Sequence, residues 1–262
     1  MLDGLSPQRR RLMLGVGVVA LLLIITVGVI SVLRITTTSG KPVPQESPGP
    51  VLLVPGYGGN VQSLQPLVAA LRSAGRTAVI VEPVGDGTGD LRKQAEHLAA
   101  VADRVRDDAG AASVDVIGYS AGGVVVRLWV QDEGGDEVAR RVLTLGSPHH
   151  GTSQAALGAE LAGGCPAACE QLVPDSELLR RLNAGDETPT GPLWVTIRSR
   201  NDQVVTPVDS AALSGALNIV VQDACPGSPA AHGDLPRNPV VLAALASVLG
   251  AGAPQPPTAV AC

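Results

Sequence analysis

Short, unbroken apolar runs punctuate the chain from residue 51 onward, and helical patterns fill the intervals between them. Val51–Val54, Thr77–Val81, Val114–Ile117, Val142–Leu145, Leu193–Ile197 and Leu217–Val221 are rich in Val, Ile and Leu with little polar alternation. Runs of this kind suit strands covered on both faces. Helices are expected over Ser63–Ala74, Asp90–Ala109, Gly122–Gln131, Ser176–Asn183 and Pro239–Leu249. Such regular alternation predicts an α/β architecture: a mostly parallel sheet of about six strands with helices on both faces. Gly151–Pro192 breaks the rhythm, with helical pieces and two cysteines but no strand. Its length suits a cover. No internal repeat is visible.

The first 34 residues follow a different pattern. Leu12 to Leu33 is a run of 22 residues without an ionisable side chain. As a helix it would span about 33 Å, enough to cross the hydrocarbon core of a bilayer. Arg9, Arg10 and Arg11 precede it and only Arg34 follows closely, which keeps the N-terminus cytoplasmic and sends the remainder outside. A cleaved secretory signal is the alternative. Its apolar region usually runs about 7–15 residues and ends in a small-x-small site, whereas Arg34-Ile35-Thr36-Thr37-Thr38 follows here. The expectation is a basic cytoplasmic segment (1–11), a transmembrane signal anchor (12–33), a linker (34–50) holding Pro42, Pro44, Pro48 and Pro50, and a folded domain (51–262). The protein would then be a single-pass protein of the cell membrane with its domain extracytoplasmic, or secreted if the segment is removed.

Composition narrows the partners. The whole chain has a formal net charge of −5, and an aromatic content of 2% with no Phe. Without residues 1–34 the remainder carries 15 basic and 23 acidic residues, a net of −8. An acidic, aromatic-poor domain lacks the phosphate-neutralising patch and stacking surfaces that nucleic acid requires. It is also repelled by an anionic bilayer, which leaves tethering to the N-terminal helix. All four cysteines lie beyond the linker, and an even number in an exported domain favours disulfides. Three pairings are possible. Cys165–Cys169 is favoured by proximity in sequence and Cys225–Cys262 as a staple for the C-terminus. No cysteine has a His at ligand spacing, so a metal site is not expected.

In parallel sheets ligands bind outside the carboxyl ends of the strands, so the residues after each strand carry the chemistry. Gly118-Tyr119-Ser120-Ala121-Gly122 joins the third predicted strand to a helix. A serine in this sharp strand-to-helix turn is exposed to a bound substrate, and flanking glycines relieve the crowding. A hydroxyl needs a base to become a nucleophile. Of four histidines, His97 falls within a helix, while His149 and His150 follow the fourth strand, too early for the order Ser, acid, His. His232, after the last strand, is the candidate base. Asp202, just past the fifth strand, is the candidate for orienting it, with Asp209 and Asp223 as competitors. The Gly-rich turn Pro55-Gly56-Tyr57-Gly58-Gly59 suggests the Tyr57 N–H as one oxyanion donor, and the Ala121 N–H as the second. Tyr57 and Tyr119 flank the site and suggest pocket walls. His149 is a further candidate for lining it.

These pieces, together with Leu145-Gly146-Ser147-Pro148-His149-His150-Gly151-Thr152, resemble a small lipase or esterase of the α/β-hydrolase superfamily, similar to secreted bacterial triacylglycerol lipases. They span most of residues 50–250. The resemblance implies the α/β-hydrolase fold and hydrolysis of a carboxylic ester by Ser120, His232 and Asp202, without metal or organic cofactor. It also implies that the histidine of the third piece is not the base. Pro55 departs from the pattern, since relatives usually carry His there. An acyl ester or lipid is the expected substrate, and a monomer the expected state. Because a disulfide inside Gly151–Pro192 would stiffen that cover, accessible acyl esters are favoured over interface-activated fat hydrolysis. Acyl transfer to an envelope lipid and a non-catalytic tethered binding module remain the alternatives.

Overall fold

The structure is a computed structural model that describes residues 43–262 apart from 162, 163 and 259. The apolar run Leu12–Leu33, its arginines and most of the linker lie outside the described residues. Among the described residues no helix is long and apolar enough to cross a membrane.

Six strands form one sheet: β1 (Val51–Val54), β2 (Ala78–Ile80), β3 (Val114–Tyr119), β4 (Ala139–Leu145), β5 (Leu193–Arg198) and β6 (Leu217–Val220). Their spatial order is β2-β1-β3-β4-β5-β6, and every adjacent pair is parallel. The helices that follow the first strands are α1 (Gln65–Ser73), α2 (Leu91–Ala109) and α3 (Ala121–Asp132). Three short ones, α4 (Ser153–Leu161), α5 (Ala167–Gln171) and α6 (Glu177–Leu182), occupy the strand-free stretch after β4. The chain ends with the single-turn α7 (Val221–Ala224) and with α8 (Pro239–Leu249).

The pleat of β1 divides the core. Leu52 and Val54 point into a cluster with α2, α3 and residues of α4–α6, while Val51 and Leu53 point into a second cluster with α1 and α8. Alternate side chains of a strand face opposite sides, so a strand apolar at every position requires helices on both. The fold is the α/β-hydrolase arrangement that the motifs implied. The expected helix at Ser63–Ala74 is split into a 3-10 turn at Val61–Leu64, capped by the Asn60 side chain, and α1 with Pro66 in its first turn. Proline lacks the N–H that an interior helical position needs but fits the start.

The largest shift of a strand boundary from expectation, at the start of β4, has a physical reason. β4 starts at Ala139 rather than Val142, and Arg140 and Arg141, charged residues before the apolar run, are both buried in it. Buried Asp115 of β3 accepts hydrogen bonds on Oδ2 from Arg140 and Arg76, each at 2.6 Å. The guanidinium of Arg140 also donates to the carbonyls of Gln45, Leu249 and Gly250, and that of Arg141 to those of Val248 and Gly252. The last carbonyls of α8 have no intrahelical donor, and these arginines satisfy them. The same clamp draws in residues before Val51: Val43 is buried, and the Gln45 side chain accepts from Arg141 Nε at 2.8 Å. Packing thus begins earlier than the expected start at Val51.

Cys165 is bonded to Cys169 and Cys225 to Cys262, the pairing favoured from the sequence. The first bond closes the turn that leads into α5. The second holds the C-terminus against α7.

Candidate active site

β3 ends and α3 begins on either side of Ser120, which adopts φ 53° and ψ −127°. This backbone region costs a non-glycine residue on the order of 1–3 kcal/mol. It is sustained because its surroundings are fixed: Ser120 N–H donates to Leu145 O of β4 at 2.9 Å, and α3 approaches the end of β1 closely at Gly122. A Cβ at Gly122 would lie 2.3 Å from Val54 O, so only glycine permits that approach.

His232 comes from the far end of the chain, at the start of a 3-10 turn spanning His232–Arg237. Its Nε2 lies 3.0 Å from Ser120 Oγ, and its Nδ1 lies 2.7 Å from Asp202 Oδ2. An ionised carboxylate only accepts, so Nδ1 carries the proton and Nε2 is left to accept from the serine hydroxyl. Asp202 is 5% exposed, and its other oxygen accepts from the backbone N–H groups of Val204 and Val205, both at 2.8 Å. The three side chains named from the sequence are therefore brought into one hydrogen-bonded line. The two competing acids are engaged elsewhere, Asp209 with Arg198 and Asp223 with Arg200.

Tyr57 lines the same cavity as Ser120, and Ala121 is the first residue of α3. The first N–H groups of a helix have no intrahelical partner and sit at its positive end, so the Ala121 amide is free to meet an anion beside Ser120 Oγ. The cavity has a volume of about 210 Å³, and Pro148, Ala155, Cys169, Leu172 and Val204 give it a largely apolar wall. An acyl chain suits such a lining better than a sugar or a nucleotide. Among the described residues no group of three or more His, Cys, Asp or Glu is arranged to hold a metal ion.

Two residues expected in the cavity wall lie elsewhere. Tyr119 is buried beneath the base: its ring stacks on His232 with centroids 5.2 Å apart, and its hydroxyl donates to His232 O at 3.3 Å. Burial, and then the charge of Asp202, push the phenol up to about 12, so it stays a donor. The inward side of β3 alternates, and Tyr119 falls on the face below the serine rather than beside it. His149 is fully buried, with Nε2 3.0 Å from Thr144 Oγ1. Burial, followed by the nearby charges of Arg127 and His150, holds its imidazole well below the ordinary value, so it is neutral. It braces the loop after β4 and does not reach the cavity.

Gly146 went unassigned in the sequence. At φ 53° it runs so near the relay that a Cβ there would lie 3.1 Å from both Asp202 Oδ2 and His232 Nδ1. The only sequence signal is a glycine directly after a strand.

A family model described as palmitoyl protein thioesterase matches residues 50–182. That stretch contains Ser120 but ends before Asp202 and His232. Among solved structures, lipase B of Aspergillus fumigatus is similar with a TM-score of 0.70 at 22% identity, over 84% of this chain. This chain spans 56% of that lipase. The mature lipase BlEst2 of Bacillus licheniformis gives a TM-score of 0.64 at 18% identity, over 80% of this chain and 94% of the other. At these identities the likeness is one of fold. No curated protein matches the chain.

Proposed function

This chain belongs to the palmitoyl protein thioesterase family, and from that premise we propose that it is a serine-dependent acyl hydrolase cleaving carboxylic esters. The observation that carries the reading is the continuous relay Asp202–His232–Ser120 opening onto an apolar cavity. Ser120 Oγ attacks the acyl carbonyl carbon while His232 Nε2 takes its proton, and the Tyr57 and Ala121 amides hold the developing oxyanion. His232 then returns the proton to the departing alcohol. Water, deprotonated by the same nitrogen, releases the acid and restores the serine. Asp202 keeps the imidazole in the one tautomer that can perform both transfers.

Thioesters form a second substrate class, favoured by the description of the matching family. The relay serves either, because a thiolate leaves more readily than an alkoxide and makes less demand on the acid step. We place the domain outside the cytoplasm, tethered by residues 12–33. The two disulfides support that placement, since such bonds persist in oxidising compartments. Every group of the site comes from one chain, so a monomer suffices.

A fluorophosphonate probe on the folded, oxidised protein tests the core of the proposal. Labelling is expected at Ser120, together with turnover of p-nitrophenyl esters and of the matching thioesters. Ser120→Ala should abolish both and leave the melting temperature in place. Undiminished turnover in that variant would remove the assignment, and a folded wild type that takes no label would favour a binding module.

A further inference from the structure

Between the proposed acid and α4 stands a side chain that lines the same cavity as Ser120 but is no part of the relay. Thr152 is 6% exposed and immediately precedes α4. Its hydroxyl donates to Val204 O at 2.6 Å, and accepts the N–H of Thr206 at 3.1 Å and that of Gln154 at 3.3 Å. Ser153 adds two bonds to Thr206 O, one from its N–H at 2.9 Å and one from its hydroxyl at 3.1 Å. Residues 204–206 are thereby held from the side of α4. From the other side the same loop is held by Asp202, whose Oδ1 takes the N–H groups of Val204 and Val205.

Val204 thus presents its N–H to the carboxylate and its C=O to Thr152. A carboxylate is free to rotate about its terminal torsion unless one oxygen is fixed. Here the two amides fix Oδ1, which leaves Oδ2 facing His232. The amides in turn keep their place only while the loop does. A hydroxyl is the one neutral group of this size that donates and accepts at once, and this one does both to the same loop.

We infer that Thr152 is a positioning residue for the proposed hydrolysis: its hydroxyl holds the 204–206 loop so that the loop amides keep Asp202 in line with His232. The inference rests on the hydrolase reading above. It assigns work to the hydroxyl and none to the methyl group, which separates it from a packing role.

Two full-length variants separate these roles. Thr152→Val keeps the shape and removes the hydroxyl, and Thr152→Ser does the reverse. The valine variant should lose on the order of 10- to 100-fold in kcat on a p-nitrophenyl ester, the scale expected when a catalytic group is displaced by about an ångström. KM should change by less than about twofold, since an interaction lost only in the transition state lowers kcat. Fluorophosphonate labelling of Ser120 should slow in proportion, and the serine variant should recover most of the loss. If the valine variant does not fold, Thr152→Ala gives the same comparison with less bulk to accommodate. A labelled, active wild type whose valine variant is equally fast, or a serine variant slower than the valine one, would overturn the role of Thr152 alone. A wild type without label removes the hydrolase reading and this inference with it.

Discussion

The two ends of the sheet both bury charged and polar side chains, yet they treat them differently. At the amino ends of the strands Asp115 is fully buried and meets two arginines head-on, each at 2.6 Å. Around it, arginine donors saturate the carbonyls that end α8 and those of the chain before β1. At the carboxyl ends, among the described residues, no Lys or Arg pairs with Asp202. It is held by two loop amides and a histidine, and Ser120 at the end of that line opens onto the cavity. One end spends its polar groups on closing the domain, with both terminal nitrogens of the Arg140 and Arg141 guanidinium groups matched to acceptors. The other holds a donor and an acceptor in line but leaves the last hydroxyl available to an incoming carbonyl. A buried ion pair resists rearrangement, because parting it strands a charge in low dielectric. A carboxylate oriented by amides can steady a charge that comes and goes on the neighbouring ring.

If this contrast holds, an isosteric loss at the upper end should destroy turnover and spare the fold. Asp202→Asn keeps an acceptor for the loop amides but presents an N–H to His232, which favours the wrong tautomer. A fall in kcat of about 10⁴-fold is expected, with little change in melting temperature. Steady-state kinetics beside calorimetry would check it, and a loss of stability in place of activity would erase the distinction.

The lower end should respond in the opposite way. Asp115→Ala leaves Arg140 buried and uncompensated, and should cost about 3–5 kcal/mol in urea unfolding. Turnover per folded molecule should stay at the wild-type level. A variant that remains stable but inactive would mean that the clamp reaches the site.

The smallest effect concerns His149, which lies near the upper end but outside the relay. Its folded imidazole is held well below the ordinary value by burial, so the unfolded chain binds a proton more readily than the folded one. That stability is present above about pH 6.5 and is lost as pH falls below it, with a slope of up to about 1.4 kcal/mol per pH unit. His149→Gln should flatten this slope in denaturant titrations at pH 7, 6 and 5. An unchanged slope would show that His149 is not the group responsible.

The site was largely legible along the chain, and the closing clamp was not. Ser120, Asp202 and His232 each follow a strand and lie in residue contexts that local rules interpret: a glycine-flanked turn, an acid and a histidine in order. Arg140, Arg141 and Asp115 carry no comparable signal. Charged residues beside an apolar run read as solvent-facing, and only partners 25 and more positions away make them interior. Tyr119 and His149 lie away from the expected cavity wall for a related reason. Proximity in sequence to a site residue says nothing about which face of the sheet a side chain occupies.

Alone, the sequence determined what depends on period and neighbours: six buried strands, the main helices between them, and the order in which Ser120, Asp202 and His232 occur along the chain; it favoured one set of cysteine pairs among three. The folded chain decided what depends on distances between remote segments. It brings a hydroxyl within 3.0 Å of an imidazole 112 residues away, puts Tyr119 under that ring, and turns two strand-edge arginines inward. Hydrophobic pattern is a local property, because burial on one face repeats with the backbone. Convergence of polar groups is set by how the layers stack, and no short window of residues contains that.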